Sequence, residues 1–162
     1  MKIVLFQPEI PQNTGNIVRT CALTRSGLVL VRPLGFSISD RMLKRAGLDY
    51  WPWANVEVID DLESYLEHCG LPFYFFSRYA DKFYTEIAYS DDALLIFGSE
   101  TGGLPPSIKE RWANQFYTIP CVPIIRKENP TDSGCLNLSN AASIVLYEAL
   151  RQIGFCLKIP GP

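Results

Sequence analysis

The sequence predicts an α/β fold in which a mostly parallel sheet is covered by helices on both faces. Short runs of β-branched and aromatic residues alternate along the chain with segments whose apolar residues recur at helical spacing. Strands that alternate with helices pair in parallel, and the helices then cover both faces of the sheet. With 162 residues, of which 48% are apolar and 20% charged, the chain suits one domain with a sizeable core. We therefore expect residues 1–162 to form a single domain.

Six segments have the composition of buried strands. Aromatic and β-branched residues dominate them, and Pro120 stops the last one. The predicted strands cover residues 2–7, 28–31, 56–59, 73–76, 93–97 and 116–119. A less regular segment separates the fourth strand from the fifth.

Five segments are predicted to be helical. The first begins near Asn13 or Asn16, runs to about residue 26 and is ended by Gly27; the second follows Ser39-Asp40 and runs through residue 46. The other three cover residues 60–69, 106–114 and 137–153. The last has a clear apolar stripe, formed by Leu138, Ala141, Ala142, Val145, Ala149 and Ile153. Its first polar side chains, Asn137, Ser139 and Asn140, either cap the helix or face a ligand.

The charges are unevenly distributed along the chain. A net charge of −2 argues mildly against bulk nucleic-acid binding. Residues 1–50 hold seven basic and three acidic side chains, a net charge of +4, so the remainder carries −6. This asymmetry allows a basic face for phosphates, and an ordinary solvated surface is the alternative.

The cysteine and histidine residues limit the kinds of active site that this chain can form. Five scattered cysteines without a C-x-x-C pair indicate reduced thiols, and no signal peptide or transmembrane run is recognisable, so we expect a cytoplasmic protein. The single histidine, His68, leaves little material for a histidine triad or a metal cluster. An enzyme with this sequence would rely on Arg, Glu, Asn and Ser side chains.

Three polar loops rich in glycine or asparagine are predicted to follow strands: residues 13–19, residues 98–105 and the loop after residue 119. The carboxyl ends of parallel strands share one edge of a sheet, where ligands usually bind, so these segments are expected to form a site. None of them matches G-x-x-x-x-G-K-[ST] or G-x-G-x-x-G, which disfavours ATP and dinucleotides as cofactors.

Five motifs occur in the order and register of one known family. They are Pro8-Glu-Ile-Pro-Gln-Asn-Thr-Gly-Asn-Ile-Val-Arg19, Arg45-Ala-Gly-Leu-Asp-Tyr50, Phe97-Gly-Ser-Glu-Thr-Gly-Gly-Leu-Pro105, Ile119-Pro120 and Leu136-Asn-Leu-Ser-Asn-Ala-Ala-Ser-Ile-Val-Leu-Tyr-Glu-Ala149. Each is weak alone, but together they span nearly the whole chain. They resemble the SPOUT (SpoU–TrmD) RNA methyltransferases, and most closely the tRNA wobble-ribose 2′-O-methyltransferases of the YibK/TrmL type.

The resemblance implies a homodimer and a deep C-terminal trefoil knot, with the knot and the donor-binding region at about residues 93–153. It also implies S-adenosyl-L-methionine as methyl donor, S-adenosyl-L-homocysteine as product, and methylation of a wobble cytidine or uridine in the tRNA anticodon arm. No metal and no membrane are expected. Carried over by position, the donor-binding residues are Phe76, Gly98, Ile119 and Cys135, and the catalytic residues are Arg19, Asn13, Glu100 and Asn137.

These residue types suit a methyl transfer. The reaction needs alignment of donor and acceptor and a place for the proton of the ribose hydroxyl. Arg19 either grips the phosphate beside the target ribose or, with a lowered pKa, accepts that proton. Glu100 either fixes Arg19, supports its own loop, or caps the helix that follows Pro105-Pro106.

The chain departs from the family pattern before its last helix. Residues 124–130 lengthen the loop, and Gly134-Cys135 replaces an Arg-Ser pair. The loss of that arginine affects either RNA binding or closure of the donor pocket. The positive charge of Arg126 or Lys127, in the same loop, would compensate for it. The alternative function is a non-catalytic RNA-binding or assembly protein on the same fold.

Overall fold

The computed structural model describes residues 1–37, 50–122 and 134–155, and seven strands in these residues form one sheet. The strands are β1 Lys2–Phe6, β2 Gly27–Val31, β3 Asn55–Ile59, β4 Phe73–Phe76, β5 Lys82–Phe83, β6 Leu94–Phe97 and β7 Phe116–Thr118. Their order across the sheet is β3-β2-β1-β6-β4-β7-β5, and all the neighbouring pairs are parallel. The predicted sheet is confirmed, with parallel pairing throughout these residues.

In the described part of the chain, four α-helices cover both faces of this sheet. They are α1 Pro11–Thr24, α2 Leu62–Cys69, α3 Pro106–Arg111 and α4 Leu138–Gln152. Alternate residues of β2 belong to two separate cores, because successive side chains of a strand point to opposite faces. Leu28 and Leu30 pack in the core that contains α1 and α4, whereas Val29 and Val31 pack in the core that contains α2 and α3. The centre of the sheet is therefore buried on both sides, as its continuous apolar sequence predicts.

The first helix differs from its prediction at both ends. It begins at Pro11, where the missing N–H of proline costs nothing, so residues 13–19 lie within the helix and not in a loop. It ends at Thr24, and Arg25 takes the left-handed conformation with φ 54°. Gly27 does not end the helix. It opens β2 and pairs with Lys2 of β1.

The remaining differences are small. β5 was not predicted, because two residues are too few to produce a periodic pattern. The third helix, α3, ends at Arg111 and is followed by a 3₁₀ turn, Ala113–Gln115, and β7 ends one residue before its prediction. The helix predicted up to residue 46 lies outside the described residues. None of the helices in the described part of the chain combines the length and hydropathy needed to cross a bilayer.

Candidate functional site

A cavity of about 910 Å³ opens at the carboxyl ends of β4, β6 and β7. Its walls come from the segments that follow these strands, at residues 77–80, 98–104 and 119–121, and from residues 134–138 before α4. The edge of the sheet predicted to bind a ligand is therefore the edge that carries the cavity.

The inner wall of the cavity is aromatic and apolar. The rings of Phe76 and Phe97 stack with their centroids 5.0 Å apart and an angle of 22° between their planes. Both residues are buried, and Ile119 and Leu138 line the same space. Two cations, Arg78 and Lys109, contribute to the lining. The cavity thus combines a flat apolar wall with polar loops and positive charge.

The structure brings seven of the eight predicted site residues to this cavity. They are Phe76, Gly98, Ile119 and Cys135 of the predicted donor pocket and Asn13, Glu100 and Asn137 of the predicted catalytic set. Arg19 does not line the cavity. These locations agree with the predicted donor-binding and catalytic roles, and the roles themselves stay predictions.

Glu100 joins the loop after β6 to the start of α1. Its Oε2 accepts a hydrogen bond from the backbone N–H of Glu9 at 2.8 Å, and its Oε1 accepts one from the N–H of Ile10 at 3.2 Å. The Asn13 side-chain amide also donates to Oε1, at 2.9 Å. Both carboxylate oxygens are therefore used to hold another loop. These contacts support the segment that leads into α1, and they include none with Arg19.

Asn13 and Asn137 extend this network to the last helix. The Asn137 amide donates to Oδ1 of Asn13 at 2.8 Å, and Oδ1 of Asn137 accepts from the N–H of Ser139 at 2.9 Å. Asn137 is the N-cap of α4, as one of the two sequence interpretations expected. A continuous chain of hydrogen bonds thus connects Glu100, Asn13 and Asn137.

Gly98 begins a tight turn in the wall of the cavity. The backbone N–H groups of Ser99 and Gly103 donate to each other's carbonyl oxygen at 3.1 and 3.0 Å, and Gly103 has a positive φ of 66°. A Cβ at position 98 would lie 2.4 Å from the Gly103 carbonyl carbon and 2.7 Å from the Leu104 nitrogen. Glycine is needed here because the loop folds back on itself, so a ligand is not required to explain it.

Arg19 is exposed on α1 and lies against an aromatic ring. Its guanidinium carbon is 4.7 Å from the centroid of the Tyr50 ring, which is a cation–π contact. Among the described residues, Arg19 has no hydrogen-bonded or carboxylate partner. The side chain is therefore held by a cation–π contact, and it has N–H groups available to an anion.

The segment that departs from the family pattern borders the cavity. Gly134 adopts a positive φ of 68°, and its carbonyl oxygen accepts a hydrogen bond from Arg78 at 3.4 Å. The exposed thiol of Cys135 lines the cavity. Arg126 and Lys127, expected to compensate for the missing arginine, lie outside the described residues.

Comparison with known proteins places the chain in a family. The sequence profile of the SpoU rRNA Methylase family matches residues 1–147, which is most of the chain. The chain belongs to the SpoU rRNA methylase family. The predicted resemblance is thereby confirmed.

Individual relatives and solved structures also resemble this SpoU methylase. A Geobacillus stearothermophilus protein with the provisional name tRNA (cytidine(34)-2'-O)-methyltransferase is 44% identical over 159 residues, covering 96% of each chain. A solved structure described as giving insights into the 2-OH methylation of C/U34 on tRNA superimposes with a TM-score of 0.83 and 38% identity, covering 94% of this chain and 95% of that one. The AdoMet-bound rRNA methyltransferase of Sinorhizobium meliloti shares the fold, with a TM-score of 0.77, 24% identity and coverage of 94% and 56%.

Several residues around the cavity of this SpoU methylase were missed by sequence reasoning. The loop after β4 contributes Ser77, Arg78 and Tyr79, and Lys109 reaches the cavity from α3. The loop after β4 gave one usable signal, since it follows a strand at the same edge of the sheet as the other polar loops. In residues 1–37, 50–122 and 134–155, no group of three His, Cys, Asp or Glu side chains is placed to hold a metal ion.

Proposed function

We propose that this protein is an S-adenosylmethionine-dependent tRNA 2′-O-methyltransferase that modifies the ribose of the wobble nucleotide. The observation that carries this proposal is the match, over nearly the whole chain, to the 38% identical protein studied for methylation of C/U34. The name of the 44% identical relative specifies the same reaction. The cavity lies where this fold class places its ligands.

The residues of the cavity fit an adenosyl group and a charged amino-acid tail. The stacked rings of Phe76 and Phe97, with Ile119, offer an apolar wall for a flat base. The turn at residues 98–104 and the segment 134–136 line the same cavity. The bound donor supplies a methyl group on a positively charged sulfur, which is already activated for transfer.

The other partner in the reaction is a ribose 2′-hydroxyl, which must be aligned with the methyl group and must lose its proton. Arg19 suits the phosphate-gripping role that we considered for it, because its guanidinium is exposed and lacks a described carboxylate partner. A guanidinium binds phosphate through two parallel N–H groups. Asn13, Glu100 and Asn137 hold the three segments around the cavity in register through their hydrogen bonds.

The proposed function can be tested with purified protein, S-adenosylmethionine carrying a labelled methyl group, and tRNA. We expect label on the wobble ribose, located by nuclease digestion and mass spectrometry. A tRNA with a 2′-deoxyribose at that position is the matched control and should accept no methyl group. Donor binding is measured separately by titration. RNA binding without donor binding or transfer would favour the non-catalytic RNA-binding alternative.

We also propose the finer features that the family resemblance implies. A trefoil knot is supported by the strand order, since β6 lies between β1 and β4 and β7 lies between β4 and β5. An experimental trace of the chain from Ile119 to Asn137 would test the knot.

A homodimer is supported by exposed apolar side chains on α1 and α4. A cytoplasmic location is supported by the tRNA substrate and the free thiols.

A further inference from the structure

The contact between Arg19 and Tyr50 joins two parts of the chain that are distant in sequence. Arg19 lies on α1, between the buried Val18 and the half-buried Thr20, so its backbone is fixed by the core. The Tyr50 ring lies under the guanidinium, 4.7 Å from its central carbon. An arginine on an exposed helix surface otherwise samples many rotamers, and a ring beneath it restricts them.

The ring itself is firmly held. Tyr50 is half-buried and packs against the core that contains α1 and α4. Its carbonyl oxygen accepts a hydrogen bond from the N–H of Trp53 at 3.0 Å, which closes the 3₁₀ turn Trp51–Trp53. Trp51 packs against the same core. The Tyr50 ring is therefore packed against the core and does not stand free on the surface.

Arg19 differs from other arginines of the described chain in its partners. Arg32, Arg111 and Arg151 each pair with a carboxylate, at 2.9, 3.3 and 2.8 Å. Arg19 pairs with no described carboxylate, and its only described partner is the ring face of Tyr50. A guanidinium held over a ring by a cation–π contact keeps N–H groups that can bind a second ligand.

We propose that Tyr50 is a positioning residue, which holds the guanidinium of Arg19 so that its N–H edge meets an RNA phosphate. This proposal rests on the proposed function, because it assumes that RNA is the ligand. A guanidinium that is already oriented loses less conformational entropy when it binds a phosphate in bidentate fashion. Tyr50 acts through Arg19 and need not touch the RNA.

A double-mutant cycle tests this role. The variants are Arg19→Gln, Tyr50→Met and the combination of both, assayed for tRNA affinity and for single-turnover methylation at saturating donor. Methionine fills most of the space of the ring without its π face. We expect Tyr50→Met to weaken tRNA binding or slow transfer by about three- to thirtyfold, the range of a cation–π contact. The Arg19→Gln variant should be impaired at least as strongly, and the double variant should match it.

The control variants separate positioning from folding. Tyr50→Phe keeps the ring and should retain activity, and donor affinity should be unchanged in every variant. Arg25→Gln removes one positive charge beyond the end of the same helix, away from the cavity, and should act additively with Tyr50→Met. If Tyr50→Met fails to fold, Tyr50→Leu replaces it in the cycle and its activity is compared with that of Tyr50→Phe.

The outcomes distinguish the two proposals. A wild-type protein that transfers no methyl group to tRNA overturns the proposed function itself. If the wild type is active and the effects of Arg19→Gln and Tyr50→Met simply multiply, Tyr50 does not act through Arg19 and the positioning role is wrong. Loss of activity in Tyr50→Phe, with the fold intact, would also contradict it, because the hydroxyl and not the ring would then be needed.

Discussion

The side chains around the cavity are mostly engaged in holding one another. Glu100 accepts hydrogen bonds from the backbone N–H groups of Glu9 and Ile10, which precede α1, and from the side-chain amide of Asn13 in its first turn. A carboxylate near a helix N-terminus is favoured by the helix dipole. Glu100 therefore holds the start of a helix from which it is separated by 87 to 91 positions in the sequence.

Substitution of Gly98 by alanine should damage the turn at residues 98–104. The added Cβ would meet backbone atoms of Gly103 and Leu104, which cannot move without opening the turn. We expect a loss of about 1–3 kcal/mol in the free energy of unfolding, measured by denaturant titration, together with weaker donor binding.

The matched control for Gly98→Ala is Gly102→Ala in the same turn. At Gly102 an added Cβ would approach only the Ser99 hydroxyl, at 3.2 Å. This variant should keep most of its stability. If Gly98→Ala were as stable as Gly102→Ala but failed to bind the donor, direct contact between Gly98 and the donor would explain the glycine better than the turn.

The last helix begins at a residue with two separable tasks. Asn137 caps α4 with its side-chain oxygen and links the helix to Asn13 with its side-chain amide. Because the two tasks use different atoms of one amide group, a substitution can remove one and keep the other.

Asn137→Asp should keep the cap and lose the link. The aspartate oxygen can still accept from the N–H of Ser139, but it has no donor for Oδ1 of Asn13. Asn137→Ala should lose both and cost about 1–2 kcal/mol of unfolding free energy. We expect the aspartate variant to be the more stable of the two in thermal unfolding and still impaired in methyl transfer. Full activity of Asn137→Asp would show that the link to Asn13 is dispensable.

The final turn of the same helix contains a pH-dependent contact. Hydrogen bonds from Arg151, at 2.8 and 2.9 Å, and from Gln152, at 2.9 Å, lower the pKa of Glu148 to about 2. Gln152 in turn accepts a hydrogen bond from the N–H of Tyr89. The ionised carboxylate thereby orders the side chains that tie the end of α4 to the segment before β6.

Since folding lowers this pKa, the stabilisation by Glu148 is present above the ordinary carboxyl pKa of about 4.3 and is lost as the pH falls towards 2. Glu148→Gln should lower the free energy of unfolding by at most about 1 kcal/mol at neutral pH. The difference in this free energy between variant and wild type should shrink as the pH falls through that window. Urea titrations at several pH values would measure it. Glu110→Gln, an exposed position on α3, is the control and should show no such trend. A difference that stayed constant down to pH 2 would contradict the assignment.

Among the described residues, the paired helices α1 and α4 carry exposed apolar side chains. Leu23 on α1 and Ile144 and Tyr147 on α4 are 60%, 38% and 49% exposed, on the two helices that pack together over one side of the sheet. A second copy of the chain would bury such a face in an isologous interface. It would also enlarge the surface available to a tRNA arm.

We therefore expect Leu23→Glu to convert the proposed dimer into a monomer. A carboxylate placed in an apolar interface loses its hydration without gaining a partner. Sedimentation at micromolar concentration measures the change. Val122→Glu, at a position that is 86% exposed beside the cavity, is the control and should leave the dimer intact. A wild-type protein that sediments as a monomer would end the dimer proposal.

Local sequence signals determined the fold class and the edge of the sheet that carries the cavity. The apolar run of β2 and the apolar stripe of α4 can each be recognised within a short stretch of sequence, because the buried residues of one element are close together in the chain. The position of the polar loops after strands then follows, because parallel strands end at one edge. The N-cap of α4 was also predictable, since a cap acts on residues two or three positions away.

Only the tertiary structure decided how those loops engage one another. The hydrogen bonds of Glu100 to Asn13, and of Asn13 to Asn137, span 87 and 124 positions and depend on β1 and β6 being neighbours in the sheet. Arg19 is separated from the cavity because it lies well along α1, whereas Asn13 lies in the first turn. No local pattern contains strand order, so the sequence could not show that Glu100 binds the start of α1 or that Arg19 contacts the ring of Tyr50.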